Sequence, residues 1–448
     1  MRRYLLLLAL AGMTACTPDG SSLPEATGKG IVRAIGAIPT SPEIGFLIEE
    51  RGIGGVAFKA ATTPQSWDNL GYNFNFDVLY PGDARSTRVA TRFLDVVAGS
   101  EFTFLLTGDL DAPDVTVWET PVRVFGTGDT VFELRIANAS AGIGAVDVYV
   151  AEEGVAPALG EQAATVALTE ISTAADFETD EYVLTVTPAG DPATILFVSN
   201  PTTILAQQSV LLILFDGDAN DLAPYAVRLF NNAGGASAVP DARFLPPLRF
   251  IHATMDLETA DIYDDEMVTN AIVTDLAFGD VTGEIEFPIG ETPLTVTPAG
   301  NPGVFLYETI YTAFGGVRTN FFLITDPDDE IFGTRVVSDR RSIETAARFT
   351  FFHAAKNNPL VNLYLLEPDE PIDGAGVLPR QINLAYGFQS PIAGIQEGSY
   401  DLYFAVGDDR TVVDGPIRLD LAKGDVIEGV LLDRVDPALA EFRLLPPP

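Results

Sequence analysis

Arg249-Phe250-Ile251-His252-Ala253 is followed, nine residues beyond the histidine, by Asp261-Ile262-Tyr263, and this block recurs along the chain. Gly36-Ala37 precedes Ile44-Gly45-Phe46, Asn138-Ala139 precedes Val146-Asp147-Val148-Tyr149, and His353-Ala354 precedes Asn362-Leu363-Tyr364, each at the same offset (36 to 45, 138 to 147, 353 to 362). The anchors lie 102, 114 and 101 residues apart. That period is the size of a small domain, not of a solenoid repeat. A second signature holds the same register: Leu184-Thr185-Val186-Thr187-Pro188-Ala189-Gly190 matches Leu294-Thr295-Val296-Thr297-Pro298-Ala299-Gly300. Copies one (Phe76–Gly82) and four (Leu402–Gly407) keep only its outline.

Within each copy the apolar residues come in short runs rich in Val, Ile, Leu, Phe, Thr and Tyr, broken by Gly, Pro, Asn and Asp. Copy two yields seven expected strands: Val131–Asn138, Ala145–Val150, Thr165–Ile171, Glu181–Thr187, Thr194–Ser199, Ser209–Phe215 and Tyr225–Phe230. Seven strands in about 100 residues is the count of an immunoglobulin-like sandwich. Helical turns are allowed only at Glu161–Thr173 and Ser342–Ala347, and Gly52–Ala57 reads as a turn. The expected fold is all-β, four tandem Ig-like sandwich domains at 31–123, 124–240, 241–343 and 344–448. Joints are expected at Thr120–Thr130, Val239–Pro247 and Ser338–Thr345.

The N-terminus reads as an address. Met1-Arg2-Arg3 is basic, Tyr4–Gly12 is apolar, and Met13-Thr14-Ala15 places small residues before Cys16, the only cysteine of 448 residues. That is the pattern of a bacterial lipoprotein signal peptide over 1–15 with lipidation at Cys16, and an apolar run this short does not span a bilayer. Residues 16–30 form a flexible tether. Thr17, not Asp, follows the cysteine, which points to the outer membrane of the cell envelope. With Cys16 acylated no thiol remains for an intramolecular disulfide, so each domain must rest on its core.

The chain carries 26 Lys plus Arg against 63 Asp plus Glu, a formal net charge of −37. Without basic stripes it is no partner for nucleic acid, and its field repels anionic lipid headgroups, so the lipid anchor alone should hold it at the membrane.

The series resembles a domain-of-unknown-function family of bacterial secreted proteins and lipoproteins, often in tandem, with an Arg-x-x-His-Ala … Val-Asp-Val-Tyr signature. Copy three matches it best; copy two has Asn138 for His, copy four has Thr350 for Arg and Asn362 for Asp, and copy one keeps only Arg33 and Ala37. The resemblance implies an Ig-like sandwich in an envelope protein and brings no activity or site residues.

No catalytic motif stands out, no catalytic residue is assigned and no cofactor is expected. The two histidines, His252 and His353, occupy equivalent positions and read as framework residues that bond a neighbouring backbone group, with Asn138 imitating part of that. Trp67 and Trp118 read as packing. An Asp-rich turn follows the penultimate strand of each copy (Asp109, Asp111, Asp114; Asp216, Asp218, Asp221; Asp326, Asp328, Asp329; Asp433, Asp436) and reads as turn chemistry. Its rival reading is weak Ca²⁺ binding at Asp216, Asp218 and Asn220, without the Gly and Glu an EF-hand needs, since Asp221 and Val227 stand at those positions. The expected function is a non-catalytic surface, adhesive or scaffold module with a protein or glycan partner. The alternative is a small-ligand or glycan-binding envelope protein with copy one as the specialised domain.

Overall fold

A computed structural model describes residues 25–265, 267–326 and 328–447. The signal peptide, Cys16 and most of the tether lie outside the described residues. All regular structure described is β, and the two stretches allowed helical turns hold instead the strand Ala164–Val166 and a bridged turn at Ile343–Ala346.

The first unit sets the plan. Its strands are β1 (Lys29–Gly36), β2 (Ile44–Ile48), β3 (Arg51–Val56), β4 (Gln65–Asp68), β5 (Gly71–Val78), β6 (Thr87–Asp95), β7 (Ser100–Asp109) and β8 (Ala112–Pro121). One sheet runs β4-β1-β7-β8, the other β3-β2-β5-β6. The pairing is antiparallel except between β1 and β7, which are parallel. Between the sheets lies a core in which Phe46 and Phe104 contact each other and both contact Phe74 and Phe76. The third and fourth units repeat both strand orders, and the second adds Thr202–Thr203 and Ala236–Val239 at its edges. Eight sheets thus enclose four separate cores.

Two expectations need correction. The strand order resembles an immunoglobulin domain in having two packed sheets, but the parallel first and seventh strands depart from its ABED and CFG sheets. Gly52–Ala57 is mostly strand: β3 ends at Val56, and two of its glycines, Gly54 and Gly55, answer close approach. A Cβ on Gly55 would meet the Glu43 carboxylate at 2.0 Å, and one on Gly54 would meet Thr62 Cγ2 at 2.9 Å. The short polar strands, such as β4, carry too little apolar signal to be read from sequence.

The sheet containing β1 is buried on both faces. In unit 1, Val32, Ala34, Phe102 and Phe104 fill the unit's own core while Ile35, Ala37 and Leu105 face outward into a second cluster with Ala137, Ala139, Leu211, Ile213 and Phe215 of unit 2. Units 3 and 4 meet in the same way, through Ile251, Ala253, Phe322 and Ile324 against Phe352, Ala354, Val430 and Leu432. Phe322 and Phe352 stack across this seam at 4.0 Å. Double burial explains why Thr319–Thr325 and Ala347–Ala354 are buried at every position while β6, a one-sided edge strand, is largely exposed.

The two seams agree in detail. Arg33 Nη1 donates to the Asn231 carbonyl at 3.3 Å and Arg249 Nη1 to that of Pro446 at 2.6 Å. Asn231 and Pro446 are equivalent, each four residues past the partner (Val227, Phe442) of the matching strand positions Leu214 and Leu431.

Phe352→Ala should remove the stacked pair from a site with no room to collapse. We expect a loss of about 3–5 kcal/mol from the unfolding transition that carries units 3 and 4, measured by chemical denaturation of wild type and variant.

Candidate functional site

The recurring anchor residue is the hinge of each unit. Its carbonyl accepts the N–H of a residue in the left-handed region: Lys59 to Gly36 (2.8 Å), Thr169 to Asn138 (2.8 Å), Gly279 to His252 (2.7 Å) and Gly387 to His353 (2.8 Å), with φ of 58°, 61°, 84° and 79°. Its N–H in turn donates to the carbonyl of the next residue of that turn, at Ala60, Glu170, Asp280 and Phe388. Sequence reading missed this turn, Ala57-Phe58-Lys59-Ala60 and its counterparts at 167–170, 277–280 and 385–388. A shared alanine followed by an apolar residue and a left-handed one is its signal, masked because its distance from the anchor varies with loop length.

The anchor side chains then pin the loop that follows. Asn138 Oδ1 accepts the Ser140 N–H at 2.9 Å and Nδ2 donates to the Gly144 carbonyl at 3.0 Å. His353 does the same with a ring: Nδ1 accepts the Ala355 N–H at 3.3 Å and Nε2 donates to the Asn358 carbonyl at 2.9 Å. His252 is equally buried and lies near the Leu257 carbonyl, five residues on, but neither ring nitrogen has a partner within hydrogen-bond geometry. Gly36 has no side chain because a Cβ there would meet the Ala57 carbonyl oxygen at 2.4 Å. The alanine after each anchor is small because it sits in the seam.

The two sequence signatures prove to be halves of one contact. Asp147 Oδ2 accepts the N–H of Gly190 at 2.7 Å and Asp261 Oδ2 that of Gly300 at 2.8 Å, so the Asp-x-Tyr strand and the Pro-Ala-Gly turn are bonded to each other. Both glycines have positive φ.

The Asp-rich turns have separate duties. Asp216 accepts the N–H groups of Ala141 (2.9 Å) and Gly142 (3.1 Å) and the Ser140 hydroxyl, and Asp433 accepts those of Lys356 (2.9 Å) and Asn357 (3.0 Å) at the matching place in unit 4. Asp218 and Asp221 pair instead with Lys59 of unit 1, at 3.3 and 2.5 Å. Asn220 Nδ2 donates to Asp339 Oδ1 at 2.7 Å, and Asn220 Oδ1 accepts the Arg340 N–H. The three residues considered for Ca²⁺ are therefore directed to three different partners. Among the described residues no group of three or more His, Cys, Asp or Glu side chains is arranged to hold a metal ion.

These contacts form a polar hub that ties the two pairs together. Arg348 of unit 4 holds Asp339 with two hydrogen bonds of 2.8 and 2.6 Å, while Arg341 Nη1 donates to the carbonyls of Ser41 (2.7 Å) and Pro39 (3.2 Å) in unit 1. Glu344 N–H donates to the Thr40 carbonyl. Burial by itself would raise the Asp339 carboxyl, but the bonds from Arg348 and Asn220 hold it well below the usual carboxylate range. Both tryptophans pack, Trp118 also donating from Nε1 to the Thr169 carbonyl across the first seam and Trp67 lying edge-on to Tyr72.

With this geometry in hand the chain can be placed. A family described as a domain of unknown function (DUF4397) matches residues 30–149 and 246–364, over half of the chain, and the protein belongs to that family. Each match begins at or next to the first strand of one pair and ends on the tyrosine of the Asp-x-Tyr or Asn-x-Tyr strand of that pair's second unit. No curated protein matches. Among solved structures, the Bacillus anthracis TIE protein aligns at 11% identity over 91% of this chain and 69% of that one, with a TM-score of 0.15.

Two predictions test the framework. Burial lowers the pKa of His252 and of His353 from 6.5 to about 4, so the folded state resists protons that the unfolded chain accepts. This stability is complete above pH 6.5 and falls as pH drops towards 4, by roughly 3 kcal/mol per histidine. His353→Asn should retain the fold and remove one histidine's share of that pH dependence, whereas His353→Leu leaves the Ala355 N–H and Asn358 carbonyl unpaired and should cost about 2–3 kcal/mol at pH 7.5. Denaturation midpoints across pH 4–8 decide it. Separately, Lys59→Ala strands buried Asp218 without its cation and should destabilise the first pair by about 3–5 kcal/mol, with little relief from added salt, measured by urea unfolding.

Proposed function

We propose that this protein is a non-catalytic lipoprotein of the cell envelope, lipidated at Cys16, whose tether carries four tandem sandwich domains as a scaffold or adhesive module at the outer membrane. The observation that carries the reading is the double burial of the sheets at the two seams. A string of independent domains leaves both outer faces of each sandwich wet, whereas here the outer face of the central strands of one sheet in every unit is committed to its neighbour. Such a body holds its four units in a fixed arrangement relative to one another at the end of the tether. Membership of a family without a described activity, present here in tandem, agrees with a module of this kind. Both histidines are fully buried, and His353 is bonded to the loop that follows it, which supports a framework role over that of a general base.

The test is fractionation. Cys16→Ser should move the protein from the membrane fraction to the soluble one and remove an acyl mass from the mature N-terminus; an unchanged distribution with no acyl mass on wild type would refute the anchor.

A further inference from the structure

Lys59 of unit 1 reaches across the first seam to two carboxylates of unit 2, and all three groups are withdrawn from water. The Lys59 side chain is 7% exposed, that of Asp218 6% and that of Asp221 17%. On the apolar side, Nζ lies 4.9 Å from the centre of the Phe58 ring, which packs edge-on to Phe215 in the seam cluster. Both ends of the contact are held by backbone. Lys59 donates its N–H to the Gly36 carbonyl and keeps a left-handed φ of 58°, where units 3 and 4 have Gly279 and Gly387. Asp218 Oδ1 accepts the Asn220 N–H at 2.7 Å, which leaves Oδ2 facing Nζ at 3.3 Å. Asp221 Oδ2 accepts the Asp218 N–H at 2.6 Å and stands 2.5 Å from Nζ.

The use of lysine here is a second, independent observation. The chain has four lysines against 22 arginines. Among the described residues the other buried cations, Arg33, Arg249 and Arg348, are all arginines, whose fork is the better partner for buried carboxylates. Two carboxylates facing one cation would suit arginine again. Only lysine, however, carries a nitrogen that can release its proton and become a nucleophile.

We propose that Lys59 and Asp221 condense into an amide that ties unit 1 covalently to unit 2, with Asp218 as the proton carrier. The ion pair is the starting state. The ammonium passes one proton to the Asp221 carboxylate, which leaves an amine beside a carboxylic acid. With Oδ2 at 2.5 Å and a C–O bond of roughly 1.2 Å, the Asp221 Cγ lies within about 3.7 Å of Nζ, close to attack distance. As the N–C bond forms, negative charge gathers on Oδ2, where the Asp218 N–H already donates. Asp218 Oδ2 takes a proton from the nitrogen and returns it to the departing hydroxyl, so the C–O bond breaks and one water leaves. No electrons are gained or lost, and Asp218 ends as the carboxylate it began as, an acceptor for the new amide N–H. Burial keeps water from reversing the step. The event happens once per chain, a self-linkage and not turnover of a substrate. Lys356 and Asp329 pair in the second half of the chain with the aspartate side chain 86% exposed, and that wet pair stays ionic. The inference goes beyond the scaffold reading and does not depend on membrane anchoring.

Mass spectrometry of the purified, denatured chain carrying Cys16→Ser tests it. The mass is expected one water below that of the sequence from the observed N-terminus. A tryptic digest should yield Gly52–Arg85, uncleaved after Lys59, joined to Ile136–Arg228. Lys59→Arg keeps the positive charge and Asp218→Asn keeps the shape of the turn. Each should be folded by circular dichroism, have its full mass and give no joined fragment. A folded wild type at full mass, or a missing water that persists in Lys59→Arg, would overturn the link. A link that forms as completely in Asp218→Asn would overturn the role given to Asp218.

Discussion

Everything in this molecule depends on one sheet in each unit being buried twice. A sheet normally turns one face to the core and the other to water, and its sequence alternates accordingly. Here Leu211-Leu212-Ile213-Leu214-Phe215 runs apolar without a break because alternate residues serve two cores, Leu212 and Leu214 the unit's own and Leu211, Ile213 and Phe215 the seam. The parallel contact of the first and seventh strands follows from the same demand. It places the two most apolar strands side by side at the centre of the sheet, so that the seam has a continuous apolar floor.

The fourfold repeat was legible in the sequence because it lies in that floor. His252-Ala253 and its counterparts end the first strand, where Asn138 and His353 pin the next loop and a small residue lets two sheets approach. The twofold level above it was not legible. Nothing in the spacing of 102, 114 and 101 residues says that copies one and two face each other, because the partner of a seam residue lies a whole domain away in sequence and is merely another apolar residue. The continuous runs were the available signal, and they were absorbed into the count of strands.

The acidic turns show the limit from the other side. Asp is favoured in turns for its own backbone bonding, and that reading describes Asp326, whose Oδ1 accepts the N–H groups of Asp328 and Glu330. Asp218 and Asp221 close an equivalent turn in the same way, Asp218 Oδ1 accepting the Asn220 N–H and Asp221 Oδ2 that of Asp218, and they also receive Lys59, some 160 residues earlier and in another unit. Composition and spacing cannot separate an aspartate that only closes its own turn from one that also receives a distant cation.

The buried arginine of each seam shows how the two pairs have drifted without losing their form. Arg33 and Arg249 hold the same position and bond the same carbonyl, but the first takes its counter-charge from Glu101 on the seventh strand of its own unit and the second from Glu428 on the seventh strand of the facing unit, at 3.5 Å. At Glu101's place unit 3 has Arg318, and at Glu428's place unit 2 has Leu211. Breaking a buried pair leaves an uncompensated charge, so each buried arginine needs a carboxylate, from whichever side of its seam supplies one. The constraint therefore acts on the summed charge across the seam, not on any one residue, and it lets the first seam keep an open charged cleft where the second runs Arg249, Glu428, Arg340, Glu284 and Arg318 together in a chain of ion pairs.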